Sequence, residues 1–460
     1  NSFQLIDNNR RHMSLFRFKI LLPVAIAIFF TPLPTRLGFW KFVFGFHPSL
    51  VGLLPCTFTS RDEWGFTLED LYGGGNNGNG DNEGFPSNQE QRTYRNRLWG
   101  HTALVTGANA GMGYEVALAL ARLGVQVTLA CRTPAKCQAA AEQIRNDAVF
   151  VSRSKQDRGL HDGAKDSTVT TMTIDTSSLK SVQTFCEQFL GRSPGVPLDM
   201  LFLNAGIGAI AVLPDGTNEL SVDGIEMTFA TNVVGHHLLY KLLAPSILIP
   251  RDSEEYTPRK TPARIVLTSS SASYDTHYDY KIPPSLETLN GDPIVGMSHY
   301  SMSKLAQILW SRELTAQLDA QGTTASAAED PNSIVYVNAA HPGAVATNIW
   351  DVLTRNRVFW STMENVVFPS FIAEVAAQTG ITQYKIVNTF VDALMSYMKS
   401  IMWTPEEGAL TLLYLGTAVE DLQEKNIRGK YFHPQSTLIT EHKNVYENED
   451  ETNVRQRNMW

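Results

Sequence analysis

Cysteine is scarce in this 460-residue chain: Cys56, Cys131, Cys137 and Cys186 are the whole set, with no C-x-x-C spacing and no partnered histidines. That scarcity argues against a zinc site or any other metal centre, and against a disulfide framework; a reducing compartment fits best. Basic blocks are missing too. Against 38 Lys and Arg stand 46 Asp and Glu, a formal charge of -8, so nothing gathers to neutralise phosphates and nucleic acid is not an expected partner. Charge is sparse at 18% while hydrophobic residues reach 43%, which excludes a disordered chain and leaves a globular one with a sizeable core. No internal repeat is visible, and no apolar run is long enough to span a bilayer by itself.

What is present divides the chain. Met13 opens a segment with Arg17 and Lys19 ahead of the apolar run Ile20–Phe30, the order of a signal peptide or signal anchor. Apolar and aromatic residues resume after Pro32-Leu33-Pro34, with Arg36 and Lys41 among them, a mixture suited to a membrane interface. Residues 1–60 are therefore read as a targeting or membrane-anchor segment. Residues 61–98, with the glycine- and asparagine-rich run 73–81, are read as a flexible linker. Residues 441–460 form a polar tail, and 99–440 are expected to fold as one domain.

Within that domain, strand-like segments at 102–106, 125–130, 169–174, 199–203, 263–268 and 333–339 alternate with helical patterns. Such alternation implies βαβ units, hence an α/β fold: a Rossmann-type, doubly wound parallel sheet of about seven strands. Polar inserts near 151–167, 250–262 and 320–332 belong on the surface. The apolar, largely helical stretch 350–402 is either core or a lid over an apolar substrate.

Between the first strand and its helix runs Thr106-Gly107-Ala108-Asn109-Ala110-Gly111-Met112-Gly113. Strand, glycine turn and helix together place an anion such as a pyrophosphate on unpaired backbone N–H groups at a helix N-terminus. Gly107 makes the tight turn, while Gly111 and Gly113 permit close approach. The G-x-x-x-G-x-G spacing departs from the commoner G-x-G-x-x-G fingerprint.

Tyr300 and Lys304 stand four apart in a helical run, so phenol and ammonium share one face. A free phenol has a pKa of about 10. A neighbouring cation is expected to bring it toward working pH, as acid–base catalysis requires. A second Y-x-x-x-K, Tyr256 to Lys260, contains Pro258, which breaks the helix that would align its ends. Ser269-Ser270-Ser271 ends a predicted strand, where a hydroxyl can donate to a carbonyl above the sheet. Asn232 lies in a helical stretch, where either a site role or a buried structural role suits it.

Together these motifs resemble the short-chain dehydrogenase/reductase family over Trp99 to about Pro434, and within it the retinol dehydrogenase and WW-domain oxidoreductase-like group. Ala130-Cys131-Arg132, Trp310-Ser311-Arg312-Glu313-Leu314 and Thr404-Pro405-Glu406-Glu407-Gly408-Ala409 carry the closer likeness. The resemblance implies that Tyr300 is the acid of carbonyl reduction or the base of alcohol oxidation. It makes Lys304 the residue that lowers the phenol's pKa and holds the nicotinamide ribose, Ser270 the group that polarises the carbonyl, and Asn232 a support for proton relay. Gly107, Asn109, Gly111, Met112 and Gly113 would border the cofactor, as would Asn204, Ala205 and Gly206. Asp175 would meet the adenine, and Pro342, Gly343 and Thr347 the nicotinamide end. The Ser270–Tyr300 separation is longer than in the simplest members, and Leu203 replaces the first asparagine of the usual N-N-A-G element. Dimers through the tyrosine-bearing helix are common in the family, so a homodimer is a possible partner state.

After the second predicted strand come Cys131 and Arg132, where an NAD enzyme usually carries a carboxylate for the ribose 2′-hydroxyl. A guanidinium there pairs with a 2′-phosphate, which favours NADP(H). The expected activity is reduction of an apolar aldehyde or ketone, such as a retinoid, steroid or lipid aldehyde. The expected location is a membrane, the endoplasmic reticulum first and a plastid or other organelle second. A protochlorophyllide-reductase-like enzyme and a non-catalytic NADP(H)-binding scaffold or sensor are the alternatives.

Overall fold

The computed structural model describes residues 98–147, 169–192, 194–208, 217–248, 261–274, 285–291, 298–321, 331–350, 402–434 and 437–439, with a few isolated positions between 392 and 400. The segments read as anchor and tail lie outside the described residues, as do nearly all of the linker and the lid, the second Y-x-x-x-K and most of the polar inserts. Among the described residues no helix is long and apolar enough to cross a membrane.

The chain runs β1 (Thr102–Thr106), α1 (Gly111–Arg122), β2 (Gln126–Cys131), α2 (Pro134–Arg145), β3 (Val169–Thr173), α3 (Leu179–Arg192) and β4 (Met200–Leu203). A helical turn Met227–Phe229 and a π-helical turn Ala230–Val234 then lead into α4 (Gly235–Ile247). After β5 (Ala263–Thr268) come α5 (Leu286–Gly291), α6 (Ser298–Ala320) and β6 (Val335–Ala340). α7 (Pro405–Thr417), α8 (Val419–Glu424), β7 (Tyr431–His433) and β8 (Thr437–Ile439) complete it.

The sheet order is β3-β2-β1-β4-β5-β6-β7-β8. Pairing is parallel from β3 through to β7, and β8 returns antiparallel to β7. The expected doubly wound sheet is therefore present, with one antiparallel edge strand added. Strand order reverses at β1, which lies between β2 and β4, so a crevice opens at the carboxyl ends of β1 and β4. β2 and β6 start one and two residues later than the sequence predicts; a 3-10 turn, Pro331–Ser333, occupies the approach to β6.

Period-two alternation divides the core between the two faces of the sheet. Ala103 and Val105 of β1, with Met200 and Phe202 of β4, pack on the side of α1, α2 and α7. Leu104, Leu201 and Leu203, with Ile265 and Leu267, pack on the side of α3, α4 and α6. Both faces are covered, which is why the central strands read as continuous apolar runs. α7 starts where its residues dictate. Pro405 follows the cap, Thr404 Oγ1 accepts from Glu407 N, and the Glu407 carboxylate accepts from Thr404 N. A cap of this kind contributes about 1 kcal/mol.

Among the described residues one disulfide link occurs that the sequence reading, which expects no disulfide framework, does not foresee. Cys131 ends β2 and Cys137 lies in the first turns of α2, their Cα atoms 5.8 Å apart, and the two are disulfide-bonded. A strand folding into a helix through a two-residue turn brings these positions together, which a six-residue spacing does not disclose. It is a single link and not a framework; Cys186 is free and buried.

Candidate active site

The glycine turn leaves β1 through Gly107 at φ +67 and enters α1 through Gly111 at φ +58, left-handed values that disfavour any other residue. A Cβ on Gly113 would stand 2.5 Å from both Asn204 Nδ2 and Gly107 O, so α1 meets the turn at backbone distance. The helix begins at Ala110 without a side-chain cap, which leaves its first backbone N–H groups with no side-chain acceptor. Asn109 is half-buried beside them, and Met112 lies half-buried against α7. Thr347 lies against this turn: its Cγ2 is 3.1 Å from where a Gly111 Cβ would be.

β1 and β4 are tied at their ends by one hydroxyl. Thr106 Oγ1 accepts from Asn204 N and Ala205 N, both at 2.9 Å, and Asn204 Nδ2 donates to Thr106 O at 3.1 Å. The asparagine side chain thus joins the ends of β1 and β4 beside the crevice. Gly206 follows beside the α6 machinery: a Cβ there would lie 3.2 Å from Asn232 Oδ1 and 3.5 Å from Lys304 Nζ. Asp175, after β3, is engaged locally, since its Oδ1 accepts from Ser177 N at 3.0 Å and Ser177 Oγ at 2.6 Å. Arg132 is exposed at the end of β2, with Lys136 exposed four residues on. After β6, Gly343 turns at φ +89 behind buried Pro342 and donates its N–H to His341 Nδ1 at 2.9 Å. His341 is buried, which holds it neutral well below the ordinary histidine pKa; because Nδ1 accepts, its proton resides on Nε2.

Tyr300 and Lys304 come together on α6 as the spacing predicts. Lys304 Nζ lies 5.4 Å from the Tyr300 ring centre and donates to Thr268 O at 2.7 Å, at the end of β5. Ser270 is the hydroxyl of the run that acts on the Tyr300 phenol, drawing its pKa down. Its neighbour is otherwise employed: Ser269 Oγ donates to Lys304 O at 2.7 Å. Of the serine run, Ser270 is the one that meets the phenol.

Burial dominates both titrations. It pushes Tyr300 up to about 12, with the Ser270 hydrogen bond pulling the other way. It brings Lys304 down to about 7. Desolvation is the larger influence on the phenol, acting against the shift toward neutrality that the Tyr300–Lys304 spacing suggests. At neutral pH Tyr300 is a phenol, the form a proton donor must have.

Asn232 is fully buried, and its side chain is a clamp. Oδ1 accepts from Ile207 N at 2.9 Å, while Nδ2 donates to Ile207 O at 3.1 Å and Ser303 Oγ at 3.0 Å. It thereby fixes the chain beyond Gly206 against α6. Three further residues on these elements escaped the sequence reading. Gln307 and His236 both meet the Asn232 carbonyl, and Tyr431 of β7 donates to Ser270 O at 3.1 Å. Gln307 was the most accessible of them, lying three residues beyond Lys304 and thus on the same helix face.

The short chain dehydrogenase family model matches residues 101–280. Human retinol dehydrogenase 14 is 30% identical over 336 residues, 73% of this chain and 78% of that protein. Its mouse counterpart is 34% identical over 253 residues, spanning 55% of this chain and 63% of that protein. The WW domain-containing oxidoreductase of Gallus gallus is 34% identical over 284 residues, 61% of this chain and 59% of that one. The chain thus spans roughly three fifths to three quarters of the length of these relatives. With the sheet order, the glycine turn and the Ser270–Tyr300–Lys304 arrangement already in place, these likenesses make the chain a member of the short-chain dehydrogenase/reductase family of oxidoreductases, close to the retinol dehydrogenase and WW domain-containing oxidoreductase group.

Proposed function

We propose that this protein reduces the carbonyl of an apolar aldehyde or ketone, of the retinoid, steroid or lipid-aldehyde class, using NADPH at a membrane. The observation that carries the reading is the cluster of half-buried Ser270 with buried Tyr300 and Lys304 at the carboxyl end of the sheet, beside the crevice bordered by the glycine turn.

A dinucleotide fits the residues around that crevice. The uncapped start of α1 supplies backbone donors for a pyrophosphate, and the positions of Gly107 and Gly113 leave no room for a Cβ that would close the approach. Exposed Arg132, with no carboxylate in its place, suits a 2′-phosphate. Asn204, Ala205 and Gly206 would border the cofactor, Asp175 would lie toward the adenine, and Pro342, Gly343 and Thr347 toward the nicotinamide. When bound, the nicotinamide supplies the hydride that reaches the carbonyl carbon.

The chain's own residues handle the proton. The substrate oxygen takes the position between the Ser270 and Tyr300 hydroxyls. Ser270 Oγ–H donates to that oxygen and Tyr300 delivers its proton to it, so the alkoxide never stands unprotected. Lys304, drawing toward its charged form as the phenolate develops, stabilises the negative charge left on Tyr300. Asn232 holds Gly206, Ile207 and α6 in register while this happens. Oxidation of an alcohol is the same sequence reversed.

The test is NADPH consumption by the full chain against retinal, long-chain aldehydes and steroid ketones, with NADH in parallel and Tyr300→Phe as control. Turnover that prefers NADPH and vanishes in the variant supports the proposal. Tight NADPH binding with no turnover on any of these favours the scaffold or sensor instead.

A further inference from the structure

Gln307 is fully buried on α6, among Leu305, Ala306, Ile308 and Leu309, which are buried too. An amide in such surroundings is destabilising unless both ends are paired. Here both are. Lys304 Nζ donates to Gln307 Oε1 at 3.3 Å, and Gln307 Nε2 donates to the Asn232 carbonyl at 2.9 Å. The amide can face only one way, because an ammonium only donates and a carbonyl only accepts.

The Asn232 carbonyl is reachable because it lies in the π-helical turn Ala230–Val234, where the regular helical bonding pattern shifts. It takes a second side-chain donor as well. His236 Nδ1 stands 3.1 Å from it, and His236 Nε2 lies 3.0 Å from Thr106 Oγ1, the atom that ties β1 to β4. A carbonyl cannot donate, so Nδ1 carries the histidine's proton. One buried run of hydrogen bonds thus leads from the crevice, through Thr106, His236, Asn232 and Gln307, to Lys304.

We infer that Gln307 is the positioning residue for Lys304: its amide spans the lysine ammonium and the Asn232 carbonyl and holds the ammonium beside Tyr300. The inference rests on the reading of Tyr300 and Lys304 as the acid–base pair. Thr268 O fixes the ammonium from β5, and Gln307 fixes it from its own helix, so the charge has two acceptors and one location. The titratable groups facing Lys304 are Tyr300 on α6 and His236 on α4, and Tyr431 of β7 feels the Tyr300 charge. β5 offers Lys304 the Thr268 carbonyl, while the guanidinium of its Arg264 donates to Gly416 O of α7. With no carboxylate acting on it among the described residues, the acceptor supplied by Gln307 bears directly on how readily Lys304 holds its proton.

Two variants separate positioning from mere packing. In Gln307→Glu a carboxylate faces the ammonium and raises the Lys304 pKa by about one unit; in Gln307→Leu the acceptor is gone and the pKa falls by about one unit. The first readout needs no cofactor. In the wild type, unfolded Lys304 holds its proton to higher pH than folded Lys304, so stability rises with pH above about 7. In urea unfolding from pH 6 to 10, that rise is expected to begin later in Gln307→Glu and earlier in Gln307→Leu. The second readout is NADPH affinity by fluorescence over the same range, whose alkaline limb is expected to move in the same opposite directions. Opposite shifts support the positioning role even if one variant is markedly less stable. Three coincident pH curves in urea overturn it, whatever the cofactor does. A wild type that binds no NADPH, with opposite shifts in urea, keeps Gln307 as the positioning residue and removes the reductase reading instead.

Discussion

Ser269 and Lys304 are joined side chain to backbone: the serine hydroxyl donates to the lysine carbonyl at 2.7 Å, across the junction of β5 and α6. The adjacent serine faces the phenol of Tyr300. Consecutive hydroxyls therefore have separable duties. Ser269→Ala is expected to lower unfolding free energy by about 1 kcal/mol. Ser270→Ala is expected to keep its stability and lose about 10²-fold in turnover. Urea unfolding and NADPH consumption, run on both variants, check the division; the reverse pattern would exchange the two roles.

Tyr300→Phe removes the proton donor and nothing else of size. Turnover is expected to fall by about 10²–10⁴-fold, while NADPH affinity and the unfolding midpoint hold. Single-turnover kinetics alongside a fluorescence titration measure both. A variant retaining near-wild-type turnover would mean that another group supplies the proton.

Gly113→Ala places a methyl 2.5 Å from Gly107 O, and a backbone oxygen cannot swing aside as a side chain can. The turn or α1 has to shift. Loss of about 1–3 kcal/mol in stability is expected, with weakened NADPH binding. Full binding and stability in the variant would show that the crevice is looser than these contacts imply.

Arg132→Glu exchanges a guanidinium for a carboxylate at an exposed position after β2. If a 2′-phosphate rests there, the ratio of NADPH to NADH efficiency is expected to fall by at least tenfold, since a hydrogen bond to a charged group is worth about 1.5–3 kcal/mol. Steady-state kinetics with both nucleotides decide it. An unchanged ratio would place the phosphate elsewhere.

His236 gives the fold an acid sensitivity of known sign. Burial first and the Lys304 charge second lower its pKa to about 3, with the hydrogen bond to the Asn232 carbonyl acting against both. Between about pH 6.5, where the unfolded imidazole takes up its proton, and about 3, where the folded one does, the unfolded chain binds the extra proton. Stability is therefore present above that window and lost as pH falls through it, by up to about 5 kcal/mol. In His236→Asn the amide keeps a donor for the Asn232 carbonyl and has no proton to take up. Its stability is expected to fall less steeply with acid, as read by urea unfolding at pH 7, 5 and 4.

How much of this was legible in the chain depends on how local each signal is. The six strands from β1 to β6 and the turn at Gly107, Gly111 and Gly113 were readable because apolar runs and glycine spacing act over a few residues. Tyr300 and Lys304 were readable for the same reason, being one helical turn apart. β7 and β8, three residues each, are too short for any alternation, and their place in the sheet comes from pairing with β6. The Cys131–Cys137 link depended on the direction α2 takes after β2.

Taken by itself, the order of residues determined the doubly wound sheet, the turn that starts α1 and the helix bearing Tyr300 and Lys304, because each follows from periodicity and backbone freedom within a short segment. Only the folded arrangement decided that Ser270 meets the phenol while Ser269 holds the helix. It alone decided that the Asn232 side chain is a clamp while its carbonyl gathers Gln307 and His236. Those partners are 75 and 4 residues away from Asn232 along the chain, and the former contact exists only because α6 packs against the π-helical turn. The tertiary structure also decided the protonation states. Desolvation is a property of what surrounds a group, so the pKa values of Tyr300 and Lys304 emerged only once the neighbouring elements had closed over them.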